Sequence, residues 1–185
     1  ILVVDDMQPM LSLVTSLLKI FGFDNVHTAH NAAEGWKKFC DRNPDLVLTD
    51  WLMEPYDGME LVKKIRTDPR TPNKFVPVIM MTGYSHKIRV EQARDSGITE
   101  FLVKPFRAKD LYARIEQLIE KPRQFVDAES FFGPDRRRKH PEDYQGPFRR
   151  ERDEFEEIAM LPKEEAAELL SKLRKQVKDT TTKKK

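Results

Sequence analysis

Five times in the first 121 residues, a short apolar run is followed by a stretch of helical period. The runs are ILVV at 1–4, the weaker NVHTAH at 25–30, DLVLTD at 45–50, FVPVIMMTG at 75–83 and TEFLVKP at 99–105. The segments LVV, DLVLT and VPVIMM are apolar without alternation, the pattern of strands covered on both faces. Between them lie helical stretches at 9–22, 31–43, 57–68, 85–97 and 107–121. In the first of these, Met10, Leu13, Val14, Leu17, Leu18 and Phe21 repeat at helical spacing, and Gly22 supplies a stop. Strand–helix units in series predict an α/β fold: a doubly wound parallel sheet with right-handed crossovers and helices on both faces. Functional groups in such a sheet gather beyond the carboxyl ends of its strands, at the switch point of a 2-1-3-4-5 strand order.

The pattern changes after Lys121. Residues 122–150 contain Pro122, Pro134, Pro141 and Pro147 with scattered aromatics and no sustained period, and read as an irregular linker or arm. Residues 151–185 read as a helical extension with a frayed TTTKKK end. Pro162 suits a first helical turn, Glu164 and Glu165 suit its dipole, and Ala166, Leu169, Leu170, Leu173 and Val177 form one apolar stripe. With 33 basic and 31 acidic residues in 185, no global attraction to nucleic acid or membrane follows. The single cysteine, Cys40, excludes an intramolecular disulfide and a cysteine zinc cluster. No apolar run reaches the roughly 18 residues of a membrane span, and no signal peptide precedes the first strand, so a cytoplasmic protein is expected.

Three acids crown two of the buried runs: Asp5 and Asp6 end the first, Asp50 ends the third. In the 2-1-3-4-5 order these strands are neighbours. Two carboxylates about 4 Å apart repel by roughly 4 kcal/mol at an effective dielectric of 20. Such a cluster binds a cation or holds a proton. Oxygen ligands without histidine or cysteine suit Mg²⁺, which keeps waters and is completed by a phosphoryl group. Thr82 ends the fourth run and Lys104 the fifth, bringing a hydroxyl and an ammonium to the same crevice. Carboxylate, metal, hydroxyl and ammonium are the parts that phosphoryl transfer needs. Taken singly, each acid could instead be a helix cap or a loop residue.

The acid pair, Asp50 in DWLMEPYDG, the Thr82 strand end and KPF at 104–106 together resemble the receiver domain of two-component response regulators, over residues 1–121. The resemblance implies a flavodoxin-like (βα)5 fold. It also implies that Asp50 accepts a phosphoryl group from a histidine kinase, with Asp5, Asp6, Asp50 and the Leu52 backbone carbonyl ligating Mg²⁺. Thr82 and Lys104 would hold the phosphoryl oxygens, Thr82 and Phe101 would form the conformational switch, and the Lys104–Pro105 bond would be cis. The implied partners are a histidine kinase or phosphotransfer protein and an output protein, with self-association through the terminal helix as a further option. The protein would be a phosphoacceptor switch rather than an enzyme with an external substrate.

This sequence departs from the family pattern at Glu54, which stands where a proline is common, with Pro55 following it. Leu52 and Tyr84, each two residues beyond a site residue, are bulky neighbours for attacking water and would lengthen the phosphorylated lifetime. Two readings compete for the tail. FFGPDRRRK at 131–139 can pin the arm to the domain through Phe131 and Phe132, or Arg136–Lys139 can serve a DNA-binding transcription regulator. Such an arm could also cover the output face until phosphorylation releases it. A metal-dependent phosphohydrolase would use similar acids, but it commonly spaces its first two by one residue, whereas Asp5 and Asp6 are adjacent.

Overall fold

The computed structural model describes residues 1–83, 97–128, 131–134 and 154–156. In chain order these form β1 (Leu2–Val4), α1 (Gln8–Ile20), β2 (His27–Ala29), α2 (Ala32–Arg42), β3 (Val47–Asp50), α3 (Gly58–Thr67), β4 (Val78–Thr82), β5 (Glu100–Val103) and α4 (Ala108–Glu120). Three further strands follow, β6 (Phe125–Ala128), β7 (Phe131–Pro134) and β8 (Glu154–Glu156). The first five strands are all parallel, in the order β2-β1-β3-β4-β5. This is the expected doubly wound sheet. The helix expected at 85–97 falls almost wholly outside the described residues.

Burial explains why the strands show no alternation. Along β4, Val78 and Met80 pack into the core layer shared with Leu61, Val62 and Ile65 of α3. Ile79 and Met81 pack into the layer shared with Leu11, Val14 and Leu18 of α1 and Leu111, Ile115 and Leu118 of α4. The inner strands β1, β3 and β4, buried along their whole length, thus need apolar side chains on both faces. Helix starts are locally encoded. Asn31 caps α2 by accepting from the Glu34 amide, and Asp57 and Glu60 form a reciprocal capping box at α3. Gly22 and Asn43 take positive φ just beyond α1 and α2.

The structure departs from three expectations. The buried face of α1 is Leu11, Val14, Leu18 and Phe21, whereas Leu13 is 47% exposed on the opposite side. Met10 and Leu17 pack against the same layer, so the expected stripe holds except that Leu11 takes the place of Leu13; a leucine-rich helix carries apolar residues beyond its packed face. The stretch 122–150, read as irregular, instead holds β6 and β7 as an antiparallel pair, with β8 on the other edge of β6. Strands of three or four residues bounded by proline and glycine are too short for alternation to register. Glu154–Glu156, read as helical, pairs as β8. The remaining readings for 157–185, and for Arg136–Lys139, lie outside the described residues.

Candidate phosphoacceptor site

The strand order places the ends of β1 and β3 side by side, with β4 and β5 following across the crevice. Asp5 is fully buried, Asp50 is nearly so, and Asp6 faces solvent. One carboxylate oxygen from each of the three lies within 4.8 Å of the others. The Met7 amide donates to Asp5 Oδ1 at 2.9 Å and fixes that carboxylate. Lys104 reaches back over the strand ends, its Nζ 2.8 Å from Asp5 Oδ2 and 2.9 Å from Asp50 Oδ1. The Lys104 amide is itself tied to the Thr82 carbonyl at 2.7 Å, and the Lys104–Pro105 bond is cis, as is Glu54–Pro55. Thr82 is buried at the end of β4. Leu52 is half exposed at the rim, just beyond Asp50.

The electrostatics follow from this packing. Burial pushes the Asp50 carboxyl above its usual value and Asp5 adds to the shift, while the Lys104 ammonium opposes it. Burial alone would lower the Lys104 pKa, but its bonds to Asp5 and Asp50 outweigh that and hold it above the usual lysine value. The cluster is therefore short of positive charge. Three oxygen-donor acids, one open to water, form a donor set that fits a hard divalent cation keeping part of its hydration shell.

Phe101 lies half-buried on β5, its ring 6.4 Å from that of Trp51, the residue after the phosphoacceptor candidate. Trp51 packs against the α2–α3 core layer rather than standing free. Tyr84 lies outside the described residues. Two contributors escaped the sequence reading. The Thr49 hydroxyl donates to the Asp50 carbonyl at 3.1 Å. Gly58 opens α3 with its amide on the Trp51 carbonyl at 2.9 Å, and a Cβ there would stand 2.0 Å from the Asp50 carbonyl oxygen. A glycine inside a first helical turn, where alanine would be about 1 kcal/mol better, was the available signal of close approach.

A parallel doubly wound sheet with carboxylates, a threonine and a lysine gathered at its strand ends is the arrangement expected of a receiver domain. The family model of the response regulator receiver domain matches residues 1–116, and the chain belongs to that family, as a response regulator of the two-component type. It is 36% identical over 121 residues to chemotaxis protein CheY1 of Helicobacter pylori, covering 64% of this chain and 95% of that one. Chemotaxis protein CheY of Pseudomonas aeruginosa is 32% identical over 121 residues, covering 65% and 96%. Among solved structures, the receiver domain of NtrX from Brucella abortus superposes with a TM-score of 0.58 at 30% identity, over 65% of this chain and 98% of that one. CheY4 of Vibrio cholerae gives 0.59 at 28% identity, over 63% and 95%. None of these matches supports the DNA-binding alternative. Among the described residues no helix is long and apolar enough to cross a membrane.

Proposed function

We propose that Asp50 is the phosphoacceptor of this receiver and that Lys104, Thr82, Asp5 and Asp6 serve the transfer. The observation that carries the reading is the Lys104 ammonium seated between Asp5 and Asp50 at the mouth of a three-carboxylate cluster. Asp5, Asp6, Asp50 and the Leu52 carbonyl are the groups that would hold Mg²⁺, which would supply positive charge for the phosphoryl oxygens. An Asp50 oxygen attacks the phosphorus of a phosphohistidine in line with the bond to nitrogen. The new O–P bond forms as the P–N bond breaks, and its electron pair leaves on the imidazole. The Lys104 ammonium turns from Asp50 to a phosphoryl oxygen, and the Thr82 hydroxyl donates to another. Positioning and charge neutralisation are what this chemistry requires of a protein.

In the switching step, Thr82 moves towards the phosphoryl group and Phe101 turns with it, carrying the signal along β5 to an output protein. The ring contact between Trp51 and Phe101 supports this reading, because it joins the residue after Asp50 to the strand that would move. The donor would be a histidine kinase or phosphotransfer protein, and the domain's only turnover would be its own phosphorylation and dephosphorylation. The test is chemical trapping. After treatment with acetyl phosphate and Mg²⁺, borohydride reduction should convert Asp50, and no other aspartate, to homoserine in the peptide map. Conversion at Asp5 or Asp6 instead would overturn the assignment.

A further inference from the structure

At the end of the sheet opposite the carboxylates, the structure holds a buried arginine whose hydrogen bonds go to backbone carbonyls. Arg66, in the last turn of α3, is 6% exposed. Its Nε and one terminal nitrogen donate to the Gly97 carbonyl at 3.1 and 2.8 Å, and the other donates to the Lys74 carbonyl at 2.7 Å. Among the described residues no carboxylate pairs with it, and burial pushes its pKa down to about 9. A buried charge of this kind is costly unless its hydrogen bonds and its faces are satisfied. The bonds go to carbonyls. One face is covered by the ring of Phe125 from β6, 5.0 Å away. Arginine suits such a site because its planar, weakly hydrated guanidinium stacks on aromatics.

Phe125 does not act alone. Phe75, Phe125 and Phe132 touch one another, with centroids 5.6, 5.4 and 5.7 Å apart. The Lys74 ammonium lies 4.8 Å from the Phe75 ring and 4.6 Å from the Phe132 ring. A second latch is ionic: Arg123 meets Glu100 at 2.7 Å, and both side chains are largely buried. Glu100 also accepts from Gln117 of α4 at 3.1 Å. Gly97 and Glu100 frame the entry to β5, and Phe75 precedes β4. The five residues of β4, at about 3.3 Å each, separate this end from the phosphoacceptor cluster.

We propose that residues 123–128, together with Phe132 of β7, form a permanent clasp, an intrachain docking element seated on Arg66, Lys74, Phe75 and Glu100, which holds the entry to β5 whether or not Asp50 is phosphorylated. The functional unit of the receiver then runs to Pro134 rather than ending at Lys121, and this part of the arm is a wall of the domain, not a cover released from the output face. The indifference of the clasp to phosphorylation rests on the Asp50 reading; the docking itself does not.

The test is hydrogen exchange on the full chain, by NMR, with and without acetyl phosphate and Mg²⁺, with phosphorylation followed by intact mass. The amides of 125–128 and the Arg66 Nε–H should exchange slowly in both states. Phe125→Ala should speed exchange at Arg66 Nε–H at least tenfold, and Asp50→Ala should leave it unchanged. A thermal-unfolding cycle of Phe125→Ala with Arg66→Met should be non-additive. The clasp is overturned by unprotected 125–128 amides in the resting protein, by protection lost on phosphorylation, or by an additive cycle. If no mass gain is seen, the Asp50 reading is in trouble while the resting-state protection and the cycle still decide the clasp.

Discussion

The tightest steric constraint beside the phosphoacceptor is Gly58, and Gly58→Ala is its most informative perturbation. The added Cβ would lie 2.0 Å from the Asp50 carbonyl oxygen, 3.0 Å from its carbon and 3.1 Å from Thr49 Oγ1. Two of these three atoms are backbone, so no rotamer relieves the clash. Ordinary contact begins near 3.4 Å, so the start of α3 must withdraw from β3 by more than 1 Å, or the Asp50 peptide must turn. The Gly58 amide bond to Trp51 and the Asp57–Glu60 capping box resist that withdrawal. Overpacking of this order costs about 1–3 kcal/mol, against which alanine regains about 1 kcal/mol of helix propensity. The net loss is small enough for the domain to fold. The site is less forgiving, because a misplacement of about 1 Å at a reacting group costs on the order of 100-fold in rate. Phosphorylation by acetyl phosphate, followed through the fluorescence of Trp51, should slow by about that factor while circular dichroism stays native. A variant phosphorylated within twofold of wild type would show that the Asp50–Leu52 backbone does not need this close approach.

Three further outcomes follow from the site. In metal-free buffer, Asp50→Asn should raise the melting temperature at neutral pH. Asp50 has a folded pKa raised above its unfolded value, so its charge costs stability above that value and the cost is relieved as pH falls towards the ordinary carboxylate range. Flat pH dependence of wild-type minus variant stability over that window would contradict this. Lys104→Met should leave Asp5 and Asp50 facing each other without their shared cation, and so slow phosphorylation; the wild-type ion pair should persist until pH passes the raised lysine value. Unimpaired phosphorylation of Lys104→Met would remove Lys104 from the transfer. Leu52→Asn, at the half-exposed rim, should shorten the phosphorylated lifetime by admitting water, and an unchanged or longer lifetime would refute that role.

Much of this architecture was legible in the sequence because two-sided burial leaves a simple trace. Runs such as VLTD and VIMMT can be buried throughout only if both faces are covered. Asp5, Asp50, Thr82 and Lys104 stood out because they end such runs, and the sheet brings those ends together. Gly58 was not legible as a contact with Asp50, since eight residues of chain and a loop had to close first. Arg66 is one of three cations in the KKIR stretch at 63–66, and only the fold shows it buried beneath Phe125. The β6–β7 pair draws its support from Phe75 and Arg66, far away in sequence, so its four-residue strands carried little local signal. Leu13 misled because helical spacing gives a period but not a direction.

On the proposed reading, the carboxylate cluster serves to place a phosphoryl group on Asp50. Intact mass after incubation with acetyl phosphate and Mg²⁺, measured beside Asp50→Ala, tests it most directly. The expected result is a Mg²⁺-dependent gain of about 80 Da, one phosphoryl group, in the wild type and not in the variant. An equal gain in Asp50→Ala, or none in the wild type with acetyl phosphate or with a phosphorylated histidine kinase, would contradict it.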